Sequence, residues 1–311
     1  MPVRGSSIAY KKMASTKEIK NRIRSVGDTQ KITNAMYLIS STKMRKARSE
    51  AEDTKPYFDR LRAEIRRMFA VSRDLTSRYY DADVDETKQG GRNGILVLTA
   101  DKGLAGSYNQ MVIKETLALM DRSDEYKLYI VGDYGWRFFR SRGSNVCENF
   151  QHSMNKPSLA MARDITRELL DEFDAGAFDR LYVCYTEYSG GMSAGSAMHD
   201  RLIPFDRDDF VPEGDETGKD ASSVFEYEPD VKTVLERSVQ SYLVGYVYSA
   251  LVNSYSSEQS ARMMAMDAAD DNARDLLDRL SLEYNHLRQN AITQEITEIS
   301  SGARSQRSKG K

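Results

Sequence analysis

Cysteine is nearly absent from this 311-residue chain, which carries only Cys147 and Cys184. A disulfide framework is excluded, and a reducing compartment is expected. Histidine is as scarce. His152, His199 and His286 are scattered, in no metal-ligand spacing such as HExxH, and no cysteine pair stands two residues apart, so no metal site is expected. No nucleophile stands near any of them at a recognisable spacing, and no catalytic residue is assigned. Long apolar runs are missing too. The longest mostly apolar stretch, Tyr242–Val252, falls far short of the ~20 residues that span a bilayer. No positively charged start leads into an apolar segment, so no secretory signal is expected. An excess of either charge is also missing. The 45 Lys and Arg nearly balance 47 Asp and Glu, for a formal charge of −2, which is not the balance of a typical nucleic-acid-binding chain. With 40% hydrophobic residues, the chain is expected to fold.

Proline is thinly and unevenly spread. Residues 13–70 hold only Pro56, and residues 231–300 hold none. The first block keeps a strict heptad through Ile19, Ile23, Val26, Gln30, Thr33, Tyr37, Ser40, Met44, Ala47, Ala51, Thr54, Phe58, Leu61, Ile65 and Met68. That pattern predicts one long coiled-coil helix, roughly 80 Å over residues 17–70. Ser15 or Thr16 is its expected cap, and Pro56 is expected to bend it rather than end it. The last block repeats the pattern in Ala273, Leu277, Leu280, Tyr284, Leu287 and Ala291, after a helical run of Val234, Leu235, Val239, Leu243, Val247 and Leu251. Asp230 is its expected cap. Two such helices at opposite ends of one chain most simply pair antiparallel.

The block between them, residues 92–205, alternates short β-branched and aromatic runs with amphipathic stretches. Strands are expected at 95–101, 127–131, 180–188 and near 198–205, with a weak one at 146–150. Helices are expected at 108–120, 133–142 and 158–173. The fold class is α/β: a long antiparallel coiled coil of the N- and C-terminal helices plus a central Rossmann-like open, mostly parallel sheet. Residues 206–230 form an acidic connector with ten acids against two bases, a net −8, part of it expected to be a mobile loop.

The loop Ala100–Ser107 follows a strand and precedes a helix, a natural anion site, but it matches neither GxGxxG nor the Walker pattern. Gly103 and Gly106 are expected to turn the chain or form a subunit contact. Met263, Met264 and Met266 are read as helix packing in preference to a binding surface. Residues 13–48 carry nine bases against two acids, a net +7. A solvated coiled-coil face, an acidic partner and a duplex-binding arm all fit that charge. Ile292, Ile296 and Ile299 share one face near the helix end. Apolar residues there imply a socket in another protein.

The segment Ser15–Ala47 (STKEIKNRIRSVGDTQKITNAMYLISSTKMRKA), the motif Thr99–Asn109 (TADKGLAGSYN) and the segment Ser257–Ala303 (SEQSARMMAMDAADDNARDLLDRLSLEYNHLRQNAITQEITEISSGA) resemble the N-terminal helix, strand–loop motif and C-terminal helix of the F-type ATP synthase gamma subunit. The resemblance implies a rotating shaft that couples ion flow through a ring of c subunits to ATP synthesis or hydrolysis in a hexamer of alpha and beta subunits, with epsilon alongside the globular foot. It implies no catalytic residue, cofactor or nucleic acid in this chain, and a peripheral place at the cytoplasmic face of a bacterial membrane through the complex. By motif position it implies rotor–stator contacts at Lys31, Met36, Arg45, Arg262, Arg288, Gln289, Thr293 and Glu298. An apolar bearing is implied at Ile292, Ile296 and Ile299, and a foot-domain loop at Gly103 and Gly106. Met13-Ala14-Ser15 looks like a family start, so residues 1–12 are expected to be a disordered extension or a misassigned start. The competing readings are an α/β nucleotide-binding enzyme with helical arms, its ligand at Lys102–Ser107, and a basic coiled-coil scaffold that binds nucleic acid.

Overall fold

The heptad positions of the first block are the ones that lose water in the folded chain. In the computed structural model a single helix, α1, spans Thr16–Val71 and runs through Pro56 without a break. Its predicted seam residues are all buried or half-buried, with Ile19, Thr33, Ser40, Ala47, Ile65 and Met68 buried, while most positions between them are exposed. The structure describes residues 16–71, 77, 79–80, 91–188, 190, 195–205, 210 and 226–309. The N-terminal extension 1–12, the capping candidate Ser15 and most of the acidic connector (206–209 and 211–225) lie outside the described residues. The second long helix, α5, spans Val231–Lys309 and continues past Gly302.

The chain divides into two units, the first built from residues up to Tyr37 with those from Met266 onward, the second from Leu38–Ala265. In the first, Met266, Ala273 and Leu280 of α5 are buried, and Leu277, Tyr284 and Leu287 are half-buried. Ala291 departs from this series and is exposed. From Arg288 to Ala303 every side chain of α5 faces solvent, so the heptad has nothing to bury against among the described residues. Ion pairs on this unit, such as Arg22–Glu18 at 3.3 Å and Lys31–Asp28 at 3.3 Å, join exposed side chains and contribute little.

The second unit contains the sheet. Its strands are β1 (Arg92–Leu98), β2 (Glu125–Val131), β3 (Arg180–Glu187) and β4 (Ser196–Ile203). They lie in the order β2-β1-β3-β4, with β1 parallel to both neighbours and β4 antiparallel to β3. Between them run α2 (Tyr108–Met120), α3 (Asp133–Ser141) and α4 (Leu159–Asp174). The expected strand at 146–150 does not form. Val146 and His152 each make an isolated parallel bridge to β2, at Leu128 and Val131. A turn between them, closed by Phe150 N–H donating to the Cys147 carbonyl at 3.3 Å, interrupts the pairing.

Alternation along the strands separates two cores. Ile95, Val97, Leu128, Ile130 and Cys184 pack with Val112, Ile113 and Leu119 of α2 and Phe139 of α3. Leu96, Leu98, Tyr129, Val131, Val183 and Tyr185 face the other way, toward Ala162, Ile165 and Leu169 of α4 and the helical residues Ile65, Met68, Leu243, Val247 and Leu251. A central parallel strand buries both faces, which is why β1 reads as a continuous apolar run.

Within this unit α1 and α5 run antiparallel. Glu64 accepts a hydrogen bond at 3.2 Å from the hydroxyl of Tyr227, just before α5, while Phe58 meets Gly245, so contacts move back along the C-terminal segment as they climb α1. Asp230 caps α5 as expected, accepting from Thr233 N–H at 2.9 Å and from the Thr233 hydroxyl at 2.8 Å. At Gly245 the helices approach closely: a Cβ there would overlap the Phe58 ring.

Two predictions follow from the packing. Gly245→Ala forces that overlap and is expected to cost about 1–3 kcal/mol of stability, read by thermal denaturation, with part of the loss regained by Phe58→Leu in the same chain. The second concerns Glu172 of α4, which accepts from Lys127 at 2.7 Å and from the Tyr129 hydroxyl at 3.0 Å. The Lys127 ammonium holds the Glu172 carboxyl below its ordinary value. A depressed carboxylate stabilises the fold above its unfolded pKa and loses that contribution as pH falls through the lower folded value. Acid titration of stability is therefore expected to be shallower in Glu172→Gln than in the native chain.

Candidate functional site

Past the carboxyl ends of β1 and β3 lies the crevice where open α/β sheets bind ligands, at the point where the chain turns from one neighbour of the first strand to the other. In this chain α5 fills it. The Thr186 N–H at the end of β3 donates to Ser254 Oγ at 3.1 Å, and Ser257 Oγ donates to the Thr186 carbonyl at 3.5 Å. Arg262 donates to the Gly103 carbonyl, just beyond β1, at 3.2 Å. Gly195, before β4, has φ +72°, and a Cβ on it would overlap the Glu187 carbonyl of β3 and lie 2.9 Å from Ser257 Oγ. A glycine is needed there both for the backbone conformation and for the approach of α5.

Further along the same helix, Asp200 of β4 accepts two hydroxyls at one carboxylate oxygen, from Tyr185 of β3 at 2.9 Å and from Tyr246 of α5 at 2.5 Å. Burial first, and then the Asp200 carboxylate that each phenol donates to, raises both tyrosines above their ordinary range. They remain neutral donors at physiological pH. Burial likewise pushes the Cys184 thiol up to about 12, which removes it as a nucleophile.

An ion pair closes the junction. Glu258 and Arg262 meet at 2.6 Å with side chains only 7% and 11% exposed. Burial raises the Glu258 carboxyl above its ordinary value, against the opposing pull of Arg262 and Lys43. The pair leaves the loop Asp101–Ser107 little of an anion site. Gly103 offers its carbonyl to the guanidinium, and Gly106, at φ +54°, lies against the Ala261 carbonyl. Asp101 is itself engaged, accepting from the Ser153 hydroxyl at 2.6 Å and from Met154 N–H at 3.0 Å. The loop assigned to a nucleotide in the enzyme reading thus packs on a helix of its own chain.

The other residues singled out from the sequence are not gathered at one place. Lys31 is exposed beside Asp28, Met36 is half-buried and Arg45 is exposed. Arg288, Gln289, Thr293 and Glu298 all lie on the exposed end of α5, where Thr293 donates to the Gln289 carbonyl at 2.9 Å and Gln294 donates to Glu298 at 3.0 Å. Ile292, Ile296 and Ile299 are 44%, 59% and 73% exposed. Sequence reasoning missed Asp200, Tyr246, Ser254, Ser257, Thr186 and Gly195. One signal was available: the run Ser254–Ala261 (SYSSEQSA) has no apolar stripe, and its small residues mark close approach on several sides. Among the described residues no group of acids, histidines and cysteines could hold a metal ion, and no helix is long and apolar enough to cross a membrane.

A sequence model of the ATP synthase family matches residues 15–305. The chain is 37% identical over 294 residues to the ATP synthase gamma chain of Acetivibrio thermocellus, covering 94% of this chain and 99% of the relative. It is 34% identical over 295 residues to that of Psychrobacter arcticus, with the same coverage of 94% and 99%. Among solved structures, it is similar in fold to a chain of the Euglena gracilis mitochondrial ATP synthase OSCP/F1/c-ring assembly, with a TM-score of 0.64 at 16% identity over 95% of this chain and 96% of that one. A chain of the Tetrahymena thermophila mitochondrial central stalk and c-ring gives a TM-score of 0.53 at 19% identity over 76% and 99%.

Removing one member of the buried pair is expected to cost more than removing both. Arg262→Ala strands the Glu258 carboxylate and should destabilise by about 3 kcal/mol, whereas Glu258→Met with Arg262→Met should cost less. Paired chemical-denaturation curves measure the difference.

Proposed function

The chain belongs to the ATP synthase gamma-chain family, and from that premise we propose that it is the central rotor shaft of an F-type ATP synthase. It couples ion-driven rotation of a c-subunit ring to ATP synthesis or hydrolysis in the beta subunits of an alpha–beta hexamer. In this reading the chain is itself non-catalytic. Its partners are alpha, beta, epsilon and the c ring, and it sits peripherally at the cytoplasmic face of a bacterial membrane through them.

The observation that carries the reading is the end of α5. Residues 288–303 stay helical while every side chain faces solvent, and three isoleucines lie among them at i, i+4 and i+7. A helix end that exposes large apolar side chains needs a socket in another protein. Ile292, Ile296 and Ile299 are the proposed bearing at the top of the hexamer. Arg288, Gln289, Thr293 and Glu298 beside them, and Lys31, Met36 and Arg45 on α1, are the proposed rotor–stator contacts. Arg262 is a proposed contact as well, with part of its donor capacity held by Glu258 and Gly103. Gly103 and Gly106 lie in the proposed foot. Between them Leu104, 66% exposed at φ 64°, offers an apolar side chain for c or epsilon.

Coupling requires that each orientation of the shaft interact differently with the beta conformations, because only a differential free energy shifts an equilibrium. The basic face of α1 provides charge for such contacts, with Lys17, Lys20, Arg24, Lys43 and Arg45 all exposed. No observation favours the enzyme or nucleic-acid readings over this one.

Purification of the native complex tests the proposal: one copy of this chain per three alpha and three beta chains is expected, and a stable homo-oligomer with bound nucleotide would overturn it. Ile292→Asp with Ile296→Asp is expected to leave the melting temperature of the isolated chain within about 1 °C, as exposed substitutions do, while lowering the yield of assembled complex or its coupled synthesis. Unchanged assembly and synthesis would remove the bearing role.

A further inference from the structure

Burial of apolar surface is non-directional, so apolar packing fixes the turn of a helix about its own axis through shape alone. Hydrogen bonds are directional and resist that turn. Beside their apolar packing, the sheet and α5 share four contacts of the second kind. Tyr246 donates to Asp200, Ser254 accepts from Thr186 N–H, Ser257 donates to the Thr186 carbonyl, and Arg262 donates to the Gly103 carbonyl. At about 100° per residue, Tyr246, Ser254 and Ser257 fall within about 80° of one another around the helix, and Arg262 extends the held arc to about 160°. Their acceptors and donors belong to three different segments: β4, the end of β3 and the loop beyond β1. Ser254 and Ser257 are fully buried, so water cannot replace the lost partner when the helix turns.

We propose that this arc is a torque grip, in which Tyr246 and Ser254 are positioning residues that keep α5 from slipping about its axis when load is applied to the sheet. The inference rests on the shaft reading and adds to it the place where the sheet takes hold of the helix. Gly195 lies beside these contacts, where a Cβ would overlap the Glu187 carbonyl and crowd both Ser257 Oγ and the Thr186 side chain. Tyr185 is not part of the grip. It makes the same kind of bond to the same Asp200 oxygen, but from β3, so its own bond ties strand to strand; its hydroxyl also meets that of Tyr246, and its loss leaves the Tyr246–Asp200 bond in place.

That symmetry supplies the control. The intact membrane-bound complex carrying Tyr246→Phe with Ser254→Ala is compared with one carrying Tyr185→Phe, and Tyr246→Phe alone serves if the double variant assembles poorly. Three readouts are taken: ATP hydrolysis without a gradient, ATP-driven ion pumping against an imposed gradient, and the stall load of single rotors. Unloaded hydrolysis should match the native complex in both. Under load the Tyr246→Phe/Ser254→Ala complex should slip at least about tenfold more often, the factor that corresponds to losing the bond to the Asp200 carboxylate alone. The Tyr185→Phe complex should stall at the native load even if its melting temperature falls as far. A native stall load in the Tyr246 variants overturns the proposal, as does equal slipping in Tyr185→Phe, which would make the network merely structural. If this chain is missing from the native complex, the shaft reading fails and the grip with it. Normal rotation with unaltered stall removes the grip alone.

Discussion

The middle of α5 has water on almost no side. From Ser254 to Ala261 every residue is buried, and most of them are polar. A helix in that position cannot rely on an amphipathic face, because it has no wet face to oppose one. It must be small enough to be approached closely and must find partners for its hydroxyls and charges. Serines at 254, 256, 257 and 260 meet the first requirement, and Thr186, Gly103 and the Glu258–Arg262 pair meet much of the second. The position of the sheet, the use of its ligand crevice and the glycine at 195 all depend on this one passage of helix.

How much of this was legible in the sequence depended on periodicity. The α1 seam was readable residue by residue, because a heptad is a local signal and every position it marked lost solvent. α2 was readable to its ends at Tyr108 and Met120, since a strand, a glycine-containing loop and an amphipathic run bound it. Asp230 was readable as a cap from its place before a proline-free run. The strand at 146–150 was misread because propensity cannot show that a turn at Cys147–Phe150 breaks the pairing. Ala291 was misread because the heptad continues past the residues that bury it. The junction itself was invisible, since it joins Asp200 to Tyr246 and Thr186 to Ser254 across 46 and 68 positions of sequence. No local pattern carries contacts of that separation.

The arrangement also shows how, among the described residues, an α/β sheet that resembles a ligand-binding fold uses its crevice. Fold class alone does not assign a function. Here the crevice that would hold a nucleotide holds a helix, the buried thiol of Cys184 is held protonated, and the tyrosines around Asp200 serve as donors. The near-zero net charge conceals a comparable division, with a basic first helix and an acidic connector in one chain. What remains unfilled is at the other end of α5, where large apolar side chains meet solvent.

The most direct test is to watch this chain turn. With the catalytic hexamer fixed to a surface and a bead attached to an exposed cysteine introduced at Leu104, addition of ATP should drive rotation in one direction in steps that follow hydrolysis. A bead that stays still, or only fluctuates, while the same complex hydrolyses ATP would contradict the account.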